Sequence, residues 1–214
     1  LGADPVTRFA RCRERYASIP FDPEGDSLGA FIGADLVGAI GAERAGHCHH
    51  CLKAEEPDFI TGDVVLFDDN ASNFAVSIDA NVTPGSTVFD NTTLYTISSS
   101  GSFGIAGGAL VKNNTGTVVI KNNNTFTGIT TINAGTLQLG DGTTDGSIAL
   151  SSQITNNSNL VFLTAGSQTV SNPIVGTGNV TMSGSGALIL ANANGYTGNT
   201  TLNSGTLHFN HASA

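Results

Sequence analysis

The densest set of chemically capable side chains is the run His47-Cys48-His49-His50-Cys51. Thiolate and imidazole are ligands that Zn²⁺ takes in tetrahedral geometry, and a Cys-x-x-Cys pair with neighbouring imidazoles supplies part of such a set. A second Cys/His pair at a defined spacing is lacking, since the one other thiol, Cys12, lies far upstream. Haem attachment needs Cys-x-x-Cys-His, and Leu52 follows Cys51. Metal binding, a disulfide-linked pair and an adventitious cluster all stand as readings of His47, Cys48, His49, His50 and Cys51. The adventitious cluster is the plainest, and no metal or cofactor is expected. Hydrolysis of a glycosidic bond would need two carboxylates about 5–9 Å apart. After residue 58 the chain has no Glu and no Arg, and its close acidic pairs are Asp68/Asp69 and Asp141/Asp145. Both pairs lie among Gly, Asn and Thr, a setting for turn-forming or solvated Asp. The stretch Asp141-Gly-Thr-Thr-Asp-Gly146 faintly resembles a Ca²⁺ loop, but lacks the alternating oxygen ligands and closing Glu. There is no Gly-Lys-Thr phosphate loop and no Gly-x-Ser-x-Gly elbow. No catalytic residue is expected.

Composition narrows the classes further. The 214 residues carry a net charge of −9 with 8 Lys+Arg, which argues against a binder of nucleic-acid phosphates. Charged residues make up 12%, about half the usual share, while mean hydropathy is +0.07, so the chain is not a charge-rich disordered tail. No window approaches the roughly 18–20 continuous apolar residues of a transmembrane helix. Asn-x-Ser/Thr sequons occur at Asn70, Asn81, Asn91, Asn113, Asn123, Asn156, Asn179 and Asn199, as the Asn/Thr-rich composition would produce by itself.

These totals conceal a break. All five Arg, all five Glu and all three Cys precede residue 58, whereas every Asn lies beyond it, from Asn70 to Asn210. Residues 1–58 form an atypical N-terminal segment, irregular or weakly helical, with too little apolar surface for a core of its own. It is expected to be poorly ordered or merely to cap the first coil, or to be an out-of-frame or wrongly started stretch. The chain opens on Leu1 and stops just after a repeat, so it reads as a piece of something longer.

Residues 59–214 contain an internal repeat, the first feature to seek in such a chain. The run from Asn124 to Leu139 recurs at an offset of 70, from Asn194 to Phe209, with 9 of 16 positions identical. The shared or similar positions are Asn124/Asn194, Phe126/Tyr196, Thr127/Thr197, Gly128/Gly198, Thr131/Thr201, Gly135/Gly205 and Leu137/Leu207. The same offset extends backwards, matching Gly116-Thr-Val-Val-Ile120 with Gly186-Ala-Leu-Ile-Leu190, so the copies span about 107–140 and 176–210. Short apolar or alternating runs bounded by Gly, Asn, Asp or Ser predict strands at 64–67, 118–120, 136–139, 160–163, 188–190 and 206–209. A sandwich of hairpins would not naturally recur at this offset without gaps. A right-handed parallel β-helix would, with three coils of about 23 residues per repeat and six or seven coils in a rod roughly 30 Å long. Small turn residues, recurrent Asn and low charge suit such stacking.

Asn194-Gly-Tyr-Thr-Gly-x-Thr-Thr-x-x-x-Gly-Thr-Leu207 and its variant from Asn124 to Leu137 resemble the autotransporter-associated β-strand repeat of bacterial passenger regions. Gly62-Asp-Val-Val-Leu-Phe-Asp-Asp69 and Val82-Thr-Pro-Gly-Ser-Thr-Val88 are similar to its lead-in, so the resemblance extends over the whole second segment. It implies an all-β, pectin-lyase-like solenoid and export to the bacterial cell surface or outer membrane. It also implies a role as stalk or as a passenger element that assists folding and secretion. The partners so implied are neighbouring β-helical repeats of a longer chain. An adhesin segment binding a surface glycan or host-cell ligand through its Thr/Asn-lined faces is the alternative. A polysaccharide-cleaving β-helix is a more distant one. Phe126 and Tyr196 are expected to pack rather than to stack on sugars.

Overall fold

Alternation of side chains determines the local structure. In Thr117-Val118-Val119-Ile120, Thr136-Leu137-Gln138-Leu139 and Ala187-Leu188-Ile189-Leu190 the second and fourth residues are buried and the others partly exposed. A strand sends successive side chains to opposite faces, so each tetrapeptide places two aliphatic groups in a core. Gly140, and Asn122 and Asn192 one place further along, then end these strands before they can lengthen.

The computed structural model describes residues 61–210. The His47–Cys51 cluster and the irregular or weakly helical character expected of residues 1–58 lie outside the described residues. Seven coils succeed one another. The first holds β1 (Val64–Asp68) and β2 (Ala75–Ile78), the second β3 (Ser86–Asp90) and β4 (Tyr95–Ser99). The third holds β5 (Ala109–Asn113), β6 (Thr117–Ile120) and β7 (Asn123–Asn124). The fourth holds β8 (Thr130–Ile132), β9 (Thr136–Leu139) and β10 (Ser147–Ile148). The fifth holds β11 (Ile154–Asn156), β12 (Asn159–Phe162) and β13 (Ser167–Val170). The sixth holds β14 (Ile174–Gly176), β15 (Asn179–Met182) and β16 (Ala187–Leu190), and the seventh β17 (Gly195–Tyr196), β18 (Thr200–Leu202) and β19 (Thr206–Phe209). No helix occurs among the described residues.

Stacking these coils yields three faces, and every strand pairing among the described residues is parallel. The first face is β1-β3-β5-β8-β11-β14-β17 and the second is β2-β4-β6-β9-β12-β15-β18. The third is assembled from β7-β10, β13-β16-β19 and the bridges Val82–Ile105 and Ala106–Thr125. Along the first face the register runs Val64–Ser86–Ala109, then Leu110–Thr130–Ile154–Ile174, then Val175–Gly195. The described residues thus form a parallel β-solenoid, all-β as expected.

One expectation needs correction: a repeat copy does not amount to three coils. Following the ladder Thr131–Thr155–Val175–Gly195, three coils on the first face end at Gly195, short of Thr201, the repeat equivalent of Thr131. The rest of the repeat carries the chain round a corner, so Thr201 lies on the second face beside Thr181. The coils are shorter than expected because many corners are turned by a few Gly, Asn or Ser residues.

The core consists of inward ladders. On the second face Val76, Ile97, Ile120, Leu139, Phe162, Met182 and Leu202 stand in one column, with Tyr95, Val118, Leu137, Leu160 and Val180 in the next. Each fully buried aliphatic side chain contributes about 1.5–3 kcal/mol of transfer free energy. The first two coils add an aromatic nest: Phe67 stacks on Phe89 at 4.6 Å between ring centroids, and Tyr95 meets Phe67, Phe74 and Phe89 edge-on. The Tyr95 hydroxyl donates to the Asp68 carbonyl at 2.6 Å, so the buried phenol keeps a partner.

Lys112 breaks the apolar pattern. It is fully buried in an inward column of the first face, between Phe89 and Ile132. Its ammonium donates to the carbonyls of Asn113, Asn114 and Ala134, the last two at 2.8 and 3.5 Å. Burial drives its pKa down to about 8, against the opposing pull of the Asp90 and Asp69 carboxylates.

Candidate functional site

The residues singled out by the repeat converge on a corner and the two strands after it. Asn124 and Asn194 do the same work in both copies. The Oδ1 of Asn124 accepts from the Ile105 N–H at 2.8 Å, and that of Asn194 from the Ile174 N–H at 2.9 Å. Each amide nitrogen donates back to the carbonyl two places before it, on Asn122 at 3.4 Å and on Asn192 at 2.8 Å. Asn122 and Asn192 extend the set. Their Nδ2 groups donate to the carbonyls of Phe103 and Ser171, again in the preceding coil. Sequence reasoning passed over this second pair, although it stands at the same offset and is identical in both copies. Each copy therefore carries an Asn-x-Asn clamp that offers an acceptor and a donor to the coil before it.

The glycines explain how close the coils come. Gly135 and Gly205 have φ of +69° and +77°, where a side chain is strained. A Cβ at Gly135 would sit 2.2 Å from the Gly116 carbonyl oxygen, and one at Gly205 2.4 Å from that of Gly184. Gly128 and Gly198 make the equivalent approach to the carbonyls of Gly108 and Gly178. All four contacts are to the preceding coil.

Among the remaining motif residues, Phe126 and Leu137 are fully buried, while Tyr196 and Leu207 are partly buried and pack on the same core. The Tyr196 hydroxyl shares a 2.6 Å hydrogen bond with Thr200 Oγ1. Thr131 and Thr201 face outward, and Thr127 and Thr197 are exposed at the corner.

The carboxylates are engaged with backbone. Asp68 accepts from the N–H and amide of Asn70, each at 2.9 Å. Asp69 accepts from the backbone N–H and hydroxyl groups of both Thr92 and Thr93 in the next coil. Burial raises its pKa, but these four donors outweigh that and hold the carboxyl below its ordinary value. Asp141 pairs with Lys121 at 2.6 Å and accepts from Thr143 and Thr144. The Lys121 contact and these donors hold it well below the usual carboxylate range. Asp145 takes the N–H groups of Ala165 and Gly166. Each acidic pair thus ties a turn in place, within a coil or between coils. Among the described residues no group of three or more His, Cys, Asp or Glu side chains is placed to hold a metal. No helix among them is long and apolar enough to cross a membrane, which says nothing of a β-barrel.

Comparison with known proteins agrees with this geometry. The family model described as the passenger-associated-transport-repeat matches residues 110–139 and 180–208. The adhesin BmaC autotransporter of Brucella suis biovar 1 (strain 1330) is 41% identical over 103 residues, which are 48% of this chain and 3% of that protein. The chain therefore spans a small fraction of the length of that relative. No solved structure matches. Two stretches that match the passenger-associated-transport-repeat thus lie on one parallel solenoid, and about half of the chain is similar to part of an autotransporter adhesin.

Proposed function

We propose that this region is a structural stalk or passenger scaffold of an exported bacterial surface protein, and that its repeats assist folding and secretion without catalysis. The observation that carries the reading is the direction of the motif contacts. Asn122, Asn124, Asn192 and Asn194 all reach to the coil before their own, and so do Gly128, Gly135, Gly198 and Gly205. A folded coil of this kind presents matched donors and acceptors to an incoming coil, which shortens the search for register that makes parallel sheets slow to form. Neighbouring coils of the same type, in a longer chain, are the natural partners. The test is refolding of the double variant Asn124→Ala, Asn194→Ala, together with its display on the bacterial surface within a full-length passenger. Slower refolding and reduced display are expected. Unchanged refolding and display would reject the reading.

A second reading rests on the outer side of the second face. Asn159, Asn179 and Asn199 form an exposed column there, with an amide contact of 3.3 Å between Asn179 and Asn159. Thr181 and Thr201 stand beside it, and no Asp, Glu, Lys or Arg occurs from Gly146 to Asn210. The named relative is an adhesin. An uncharged amide and hydroxyl surface fits a neutral glycan, and array binding that is lost in Thr181→Glu/Thr201→Glu would favour this reading.

A further inference from the structure

We infer that the repeat is a screw rather than a stack: each copy advances three and one-third coils and turns one face around the rod. The assignment rests on the pairings. In the first copy Thr125, bridged to Ala106, and the motif strands β8 and β9 lie on the third, first and second faces. In the second copy their equivalents β17, β18 and β19 lie on the first, second and third faces. Ten strands separate the copies, and three strands make a coil. The clamp and glycine contacts are nevertheless alike in both, with Asn124 reaching Ile105 as Asn194 reaches Ile174. The motif therefore encodes a corner with its two following strands and is indifferent to which face it occupies. Strand sequences agree. A glycine leading a strand whose second and fourth residues turn inward stands at 85–89 on the first face, at 135–139 on the second and at 186–190 on the third.

This geometry determines what a partner can read. Outward-facing motif residues, such as Thr131 and Thr201, do not line up along the rod but wind around it. At this spacing an exposed position returns to its own face only at every third copy, after ten coils. With coils about 4.8 Å apart that is a rise of about 48 Å. A partner that recognises the repeated residues must meet them either at this long interval or by wrapping the rod. A flat platform is instead built from residues of different repeat phase, as in the outward ladder Gln138–Val161–Thr181–Thr201. Residues that differ between copies are thereby assigned to any face-specific recognition.

Spin-label distances test the screw on the whole 1–214 chain, with Cys12, Cys48 and Cys51 replaced by Ser. One label stays at Thr201, and the second is placed at Gln138 or at Thr131, all outward positions. The screw puts Gln138 three coils below Thr201 on one face, about 14 Å away between backbones, and puts Thr131 round the corner at a longer distance. The reverse order, or equal distances, would overturn the inference. Carbon–carbon contacts by nuclear magnetic resonance provide the check without substitution. A Thr201–Thr181 contact is expected, and a Thr201–Val175 contact would contradict the screw.

Discussion

The two repeat copies share their motif but not their surroundings. The first copy lies in the middle of the rod with coils on both sides. The second ends in the seventh coil, which has a neighbour described on one side alone. Ile132 and Leu139 are 0% and 1% exposed, whereas their equivalents Leu202 and Phe209 are 50% and 63% exposed. Contacts made towards the preceding coil are nearly unchanged: the Asn clamps and the approaches of Gly135 and Gly205 match. The motif thus has two halves of different energetic kind. Its Asn and Gly residues act on the coil before, and its aliphatic residues become a core only when a coil is added after them. Solenoid stability is of this form, a sum of terms within repeats and between neighbours.

Substitutions can split the two halves. The largest contrast is expected from Leu137→Ala against Leu207→Ala. The first leaves a cavity in a packed column and is expected to cost about 2–5 kcal/mol, the second less than about 1.5 kcal/mol, measured by denaturant unfolding. The glycines should behave in the opposite way. Gly135→Ala and Gly205→Ala both force a side chain into positive φ and against a carbonyl, so each is expected to cost about 2–4 kcal/mol locally. A large effect at Gly135 with none at Gly205 would refute the two-halves account. For the clamp, Asn124→Ala and Asn194→Ala each leave a backbone N–H without its acceptor, at about 1–3 kcal/mol. Amide exchange at Ile105 and Ile174 reads that loss directly.

A smaller contrast concerns charge in the core. Met182 is the repeat equivalent of Lys112. Lys112→Met is expected to be neutral or stabilising, because a well-packed apolar side chain avoids the cost of a buried cation. The pH profile carries the same information. With the Lys112 pKa lowered to about 8 in the fold against 10.5 when unfolded, the unfolded chain binds more protons between those values. Stability is therefore expected to rise from about pH 8 towards pH 10, and Lys112→Met should abolish that rise. Above about pH 10 Tyr95 acts in the opposite sense. Burial and the Asp68 and Asp69 charges raise the Tyr95 pKa, so the folded state keeps a proton that the unfolded state loses. The smallest effect is expected at the surface: breaking the partly exposed Lys121–Asp141 pair with Lys121→Ala should cost no more than about 1 kcal/mol.

The fold was legible because its signals are local. The strand Thr136-Leu-Gln-Leu139 is announced by alternation and its preceding turn by Gly135, and the identity between the two copies points to a solenoid. The number of coils per repeat was not legible. It depends on how much chain each coil uses, and that varies: Thr117 pairs with Thr136, whereas Asn123 reaches Ser147. Nothing in the repeat spacing distinguishes three long coils from three and one-third short ones. The candidate site was legible at Asn124 and Gly135, where the copies are identical. Lys112 was not, because an isolated lysine in a strand ordinarily reads as a solvated one, and only the stacking of Phe89 and Ile132 around it makes it internal.

Residue-resolved amide hydrogen exchange on the 1–214 chain tests the central claim most directly, by comparing Thr136–Leu139 with Thr206–Phe209. Strong protection is expected across the first strand and markedly weaker protection across the second, whose outer edge has no neighbour among the described residues. Equal protection of the two strands, or the absence of protection from both, would contradict a solenoid in which each coil is completed by the next.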